Sequence, residues 1–235
     1  MMELHKGSDR GISRLDWLES RHSFSFADWN DPNRMGFRSL RVLNEDRVAP
    51  GAGFGPHLHR NMEILTVVLE GELEHRDSSG ARTVLEAGDV QRMSAGSGVV
   101  HSEWNASNDE ALHFLQIWVR PAQHDFAPSH AESRGLFPVH DGEPATFRAL
   151  ASHSGGEGVL EIQQDATVYS GRVVTGEAVH HHPAPGRGVW VQAVRGELVV
   201  NGVWLAAGDG LQIENEESIA LVGDPQGDFL LFDLA

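Results

Sequence analysis

The chain is predicted to be all-β, folded as two barrels in tandem, and three observations carry that expectation. Apolar runs of strand length recur along its 235 residues, cut by turns containing Gly and Asp, which is the pattern of a sandwich or barrel. Two tetrapeptides recur in order: Glu70-Gly-Glu-Leu73 matches Arg195-Gly-Glu-Leu198, and Glu86-Ala-Gly-Asp89 matches Ala206-Ala-Gly-Asp209. Within residues 51–105, histidines and glutamates fall at strand parity. His57, His59 and Glu63 share one side of a sheet, as do His101 and Glu103, because side chains alternate faces along a strand. Brought close in a barrel, these five groups would converge on one interior point.

Taken in order, Leu15, Trp17 and Leu18 after Ser13 suggest a short helical turn. Ser23-Phe-Ser-Phe26 alternates polar and apolar, as a half-buried strand does. Asp31-Pro32-Asn33 reads as a turn and Leu40-Arg-Val-Leu43 as a strand, with Asn44-Glu-Asp46 as a solvated hairpin connection. Strands follow at 64–69, 73–75, 84–86 and 90–93, separated by a turn at 77–80 and by Gly88. A long apolar strand at 112–119 is halted by Pro121.

The composition then shifts. Pro121, Pro128, Pro138 and Pro144, with Ser and His between them, read as an irregular connection, and Ser152-His-Ser-Gly-Gly-Glu-Gly158 as a loop. Strand patterning resumes at 160–162 and continues at Tyr169, 172–174, 189–194, 197–200 and 229–232. The expected organisation is a metal-binding domain over 1–125, a connection over 126–155 and a second barrel over 156–235.

Charge and composition exclude several functions. Thirty-four acidic against 18 basic residues give a formal charge of -16, which repels a phosphate backbone, so no direct contact with nucleic acid is expected. There is no cysteine, hence no disulfide, thiolate ligand or cysteine nucleophile. No serine lies in a Gly-x-Ser-x-Gly context, which disfavours a serine hydrolase. The first ten residues lack the apolar run of a signal peptide and no stretch is long enough to span a bilayer, so a cytoplasmic protein without membrane contact is expected.

Imidazole and carboxylate together suit a first-row divalent metal, and a partly filled shell leaves room for a substrate or oxygen. The spacing resembles the cupin family: Gly51, five residues, His57-Leu-His59, three residues, Glu63, and later Gly88-Asp89 followed by His101 and Asn105. It departs from the usual second motif in having Ser94 where a proline is common, and extra residues between Gly96 and His101. Those departures, with "HLHRNMEILTVVLEGELEHRDSSG", "MSAGSGVVHSE" and, upstream, "SFSFADWNDP", are similar to the pirin branch of the cupins.

The resemblance implies two tandem cupin barrels and a flavonol-opening dioxygenase of the quercetin 2,3-dioxygenase type, working on a small aromatic substrate with O2. It implies one divalent ion, Fe(II), held by His57, His59, His101 and a carboxylate. Parity leaves Glu63 and Glu103 both eligible for that last position. The resemblance implies Glu103, which beside the metal could also take a substrate proton, with Glu63 orienting a histidine. Pirin relatives also imply an alternative, a metal-dependent regulator acting through a protein partner; the chain itself is expected to be a monomer. Gln116 lies on the strand at 112–119 with either face open to it.

The second copy differs where chemistry matters. His180-His-His182 stands where His57-Leu-His59 stands, but Gly188 takes the place of Glu63, while Leu221 and Gly223 take those of His101 and Glu103. A metal site is therefore expected in the first barrel only.

Overall fold

The computed structural model describes residues 1–138 and 144–235. Its strands run β1 (Met2–His5), β2 (Gly11–Leu15), β3 (Leu18–His22), β4 (Leu40–Val48), β5 (Gly53–His59), β6 (Glu63–Glu70), β7 (Glu72–Asp77), β8 (Arg82–Glu86), β9 (Val90–Ser94) and β10 (Val99–Asn105). They continue with β11 (Leu112–Val119), β12 (Ser129–Ser133), β13 (Thr146–Ser152), β14 (Leu160–Glu161), β15 (Ala166–Val174) and β16 (Ala178–His181). The last are β17 (Gly188–Val200), β18 (Val203–Ala206), β19 (Gly210–Glu214) and β20 (Ile219–Leu234). A single 3-10 turn, Gly7–Asp9, is the one helical element among the described residues, and no helix there is long and apolar enough to cross a membrane.

The first barrel is a seven-stranded sheet in the order β12-β9-β6-β11-β4-β3-β2, closed over by a four-stranded sheet β5-β10-β7-β8. The second is a nine-stranded sheet, β1-β19-β17-β20-β15-β13-β14 with β16 and β18 paired to β20 and β17. The repeat is structural. Gly88 and Gly208, at φ 92° and 90°, turn the chain so that Asp89 and Asp209 accept the backbone N–H of Glu86 and Ala206. Gly holds these left-handed positions without the Cβ clash that any other residue would meet.

Strand parity sets the layers. Leu65, Val67 and Leu69 of β6, with Leu115, Ile117 and Val119 of β11, join one large core with Leu150, Val168, Trp190, Leu230 and Phe232 of the second barrel. The opposite face of the same strands points into the first barrel, where Val68 and Phe114 pack with Leu73 and Leu85 of the covering sheet. A sheet covered on both sides requires near-continuous apolar strands, which is why 64–69 and 112–119 read as largely hydrophobic runs.

Four local expectations are corrected. The helical turn at Leu15–Leu18 is a β-hairpin: Leu15 faces Leu18 across the two-residue turn Asp16-Trp17. Ser23-Phe-Ser-Phe26 is not a strand. Phe24 enters the shared core against Trp190 at 4.9 Å, Phe26 bridges to Trp29, and the Ser25 hydroxyl exchanges hydrogen bonds with the backbone of Asp31. Its alternation reflects two rings pointing opposite ways out of a loop.

Asn44-Glu-Asp46 is no solvated connection; it lies in the middle of β4, with Asn44 and Asp46 buried on the inner face. Glu45, on the other face, is bonded by Arg10 at 2.7 Å and His113 at 3.0 Å. Three consecutive polar residues look like a turn only if the inside of a barrel is assumed apolar. Finally, the stretch expected to be an irregular connection over 126–155 contains β12, which adds to the first sheet against β9, and β13, which pairs with β15. Residues 139–143 of that stretch lie outside the described residues. At the other end, β1 reaches over to pair with β19.

Candidate metal centre

β5 and β10 lie side by side, with His101 directly opposite His57. Parity places His57, His59 and His101 on one face, and their rings pack at centroid separations of 4.8, 4.4 and 4.8 Å. The nitrogens of all three lie within 4.8 Å of one another. His57 donates from Nδ1 to the Gly55 carbonyl at 2.8 Å, which leaves its Nε2 lone pair free to bind. Trp118 stands edge-on to His59 at 4.8 Å and closes that side.

The electrostatics keep His59 and His101 neutral. Burial, together with neighbouring His57, pushes His59 down to about 4. Burial first, then the adjacent histidines, pushes His101 down to about 2. Both ring nitrogens of His101 are buried without a hydrogen-bond partner among the described residues. An unpartnered buried donor or acceptor costs on the order of 1–3 kcal/mol, and a cation shared with His57 and His59 would satisfy one of these nitrogens. The donor set therefore fits a divalent ion.

Glu103 is buried two residues along β10, and three side chains from the seven-stranded sheet converge on it. Gln116 donates to its Oε2 at 2.7 Å, while Gln91 and Thr66 donate to Oε1 at 3.1 and 3.2 Å. These donors sit in one register row: Asn44 opposes Gln116, Gln116 opposes Thr66, and Thr66 opposes Gln91. Burial raises the Glu103 carboxyl to about 7 despite these bonds, and the charge of Asp46 adds to the effect. Glu103 belongs to a second group, with His101 and His75, whose donor atoms also lie within 4.8 Å of one another. His101 is common to both groups, and both lie in the first barrel.

Glu63 lies elsewhere. Its carboxylate accepts from the Ser94 hydroxyl at 2.7 Å and the Gln163 backbone at 3.3 Å, which turns it toward the second barrel and out of both groups. His75 was not anticipated. It is the cross-strand partner of Glu103, donates from Nε2 to Asp77 at 3.2 Å, and stacks on His130 at 4.7 Å. A signal existed in the repeat: His75 lies four residues after Gly71, and the equivalent place after Gly196 holds Val200.

In the second barrel Val179 faces Leu221 as His57 faces His101. His181 is the inward member of the triple histidine and bonds Asp233 at 2.7 Å, while His180 and His182 are exposed.

A cavity of about 610 Å³ opens beside the histidines. It is lined by Trp118, Phe26, Trp29, Leu15, Leu18 and Phe54, together with His57, His59, Glu103 and Gln116. That volume lies within the range of small-molecule sites.

Two cupin barrels, with a histidine cluster and an adjoining cavity in the first, define the class of this chain. The family profile described as Pirin matches residues 6–119, and that described as the quercetinase C-terminal cupin domain matches residues 149–234. A protein of Escherichia coli (strain K12) named quercetin 2,3-dioxygenase is 42% identical over 234 residues, covering 100% of this chain and 99% of the relative. The chain belongs to the pirin family. A pirin-like protein of Caulobacter vibrioides is 38% identical, covering 97% of this chain and 95% of its own. Among solved structures, bacterial pirin YhhW in complex with nickel(II) from Escherichia coli has a TM-score of 0.93 at 41% identity, over 100% of this chain and 99% of that one.

Proposed function

We propose that this chain is a metal-dependent oxygenase of the quercetin 2,3-dioxygenase type, opening the heterocyclic ring of a flavonol with O2 and releasing carbon monoxide. The observation that carries the reading is the three-histidine cluster, of which His57 and His59 line an aromatic-walled cavity. The names borne by the full-length relatives point the same way. His57, His59, His101 and Glu103 are the proposed ligands, and Fe(II) the proposed metal; the nickel(II) complex of bacterial pirin YhhW makes nickel the first ion to compare with it.

Bound there, a divalent ion would supply Lewis acidity that favours the deprotonated 3-hydroxyl of a flavonol. The protein contributes the rest. Trp118, Phe26 and Trp29 offer flat apolar surfaces to a planar ring system. Glu103, held beside His101, is placed to exchange a proton with the substrate hydroxyl. Gln116, Thr66 and Gln91 hold that carboxyl in one rotamer, so the proton acceptor does not swing away.

Protein loaded with Fe(II) or nickel(II) and given a flavonol should consume O2 and release carbon monoxide in equal amounts. His101→Ala should abolish both. Oxygen uptake without carbon monoxide would assign a different oxygenase reaction, and no uptake with either metal would remove the dioxygenase reading.

One observation favours the regulatory alternative. Leu58, Val100, Trp104 and Val84 are exposed on the outer face of the covering sheet, where a protein partner could bind. That reading requires partner binding that depends on metal while flavonol turnover is absent.

A further inference from the structure

The cavity continues past the metal-side residues to a second polar end. Along β11 the inner-face residues are Trp118, Gln116 and Phe114, and each step of two residues advances about 7 Å along the strand. Trp118 lies against His59, and Gln116 bonds Glu103. In the next row Phe114 opposes Asp46, and Asp46 opposes Ser20 on β3. Asp46 is therefore one step beyond the Glu103 row and two beyond the Trp118 row, on the order of 14 Å along the sheet. Apart from Ser20 and Asp46, the cavity lining at that end includes Leu18 and Phe54, which pack into the apolar core of the barrel.

Four polar side chains of β3 and β4 line the cavity: Ser20, His22, Asn44 and Asp46. His22 is satisfied on both sides, by Asn44 Oδ1 at 2.9 Å and by the Ser13 hydroxyl at 2.9 Å. Of the four, only Asp46 has a buried polar atom, Oδ1, without a hydrogen-bond partner among the described residues. Among the described residues no cation forms an ion pair with it, and Arg10 is engaged by Glu45 on the opposite face of β4. A buried carboxyl with one unpartnered oxygen, beside the apolar Leu18 and Phe54 in the cavity lining, is costly to keep unless a ligand completes it.

We propose that Asp46 is a specificity-determining residue, accepting a hydrogen bond from a hydroxyl on the substrate ring farthest from the histidine cluster. The inference rests on the proposed flavonol reading and deepens it. The substrates that fit are planar polyphenols hydroxylated at both ends, one end meeting the histidines and the other meeting Asp46. A ring lacking that hydroxyl leaves Oδ1 buried and unpaired. The discrimination expected from one such bond to a buried carboxyl is about 10-fold to 100-fold.

The test uses the metal-loaded full chain and two flavonols that differ only in the pendant ring, one with 3′,4′-hydroxyls and one unsubstituted. Dissociation constants are measured calorimetrically under nitrogen, and kcat/KM separately by oxygen uptake. The wild-type protein should bind the hydroxylated flavonol about 10-fold or more tightly. Asp46→Leu should bring the two constants to within about 3-fold, chiefly by weakening the hydroxylated ligand, with metal content unchanged. If Asp46→Leu fails to fold by circular dichroism, Asp46→Ala carries the same expectation. Equal affinities in the wild type, or a preference that survives in the variant, overturns the assignment.

Failures of the two readings separate cleanly. Binding with Asp46-dependent preference but no oxygen uptake keeps the subsite and removes the dioxygenase. Turnover of both flavonols at equal kcat/KM, with equal affinities, removes the subsite and keeps the dioxygenase. Binding of neither flavonol by the wild type overturns both.

Discussion

Glu103 and Glu63 carry the same side chain in opposite surroundings. Three side-chain donors hold Glu103 beside His101, whereas Glu63 is turned to Ser94 and the Gln163 backbone. Loss of a metal ligand abolishes tight binding, while loss of a group behind the ligands weakens it about 10–100-fold. Glu103→Gln is therefore expected to empty the site in competition with a chelator of known affinity, and Glu63→Gln to retain its ion. The reverse outcome would make Glu63 the ligand. The histidines set the pH dependence. They bind as neutral imidazole, so protons compete, and a depressed pKa moves that competition to lower pH. With His59 at about 4 and His101 lower still, occupancy should persist below the free-imidazole value of about 6.5 and fall as pH approaches about 4. Metal analysis after dialysis across this range checks it; release already complete at about pH 6 would contradict neutral, buried ligation.

At the scale of elements, the β2–β3 hairpin and the 26–29 loop form the cavity wall that the sequence did not reveal. Gly11 permits it: a Cβ there would collide with the Trp29 indole, which lies flat against the backbone. Gly11→Ala should displace Trp29 from the wall, raising KM for a planar aromatic several-fold while leaving metal content intact. An unchanged KM would mean that Trp29 does not contact substrate. The legibility of these elements followed their physics. Residues 64–69 and 112–119 announced themselves because both of their faces meet apolar neighbours. The middle of β4 did not, because Asn44 and Asp46 face the cavity and Glu45 is bonded by Arg10 and His113, groups distant in sequence.

Across the whole molecule, one core joins the barrels. Trp190 of β17 packs on Phe24 at 4.9 Å and Phe37 at 6.3 Å from the first barrel, and on His5 of β1 at 4.9 Å. The chain is expected to unfold as one cooperative unit, with tryptophan fluorescence and far-UV circular dichroism giving coincident transitions. Trp190→Ala should lower stability by about 3–5 kcal/mol and keep a single transition. Two separated transitions would show that the barrels are energetically independent. One ion per chain is expected, and His180→Ala combined with His182→Ala should leave that ratio unchanged, since both side chains are exposed and outside the first barrel.

The all-β class, the tandem repeat, and the shared faces of His57 with His59 and of His101 with Glu103 are legible in the order of residues alone. These are properties of alternation and spacing within single strands, and a period of two residues is written locally. The tertiary structure decided what lies opposite each strand. Register brought His75 against Glu103, lined up Gln116, Thr66 and Gln91 as its donors, and left Asp46 Oδ1 without a partner at the far end of the cavity. It also turned Glu63 away from residues that share its parity. Parity names a face of a sheet; which groups meet across that face depends on pairing between strands far apart in the chain, and no local pattern encodes it.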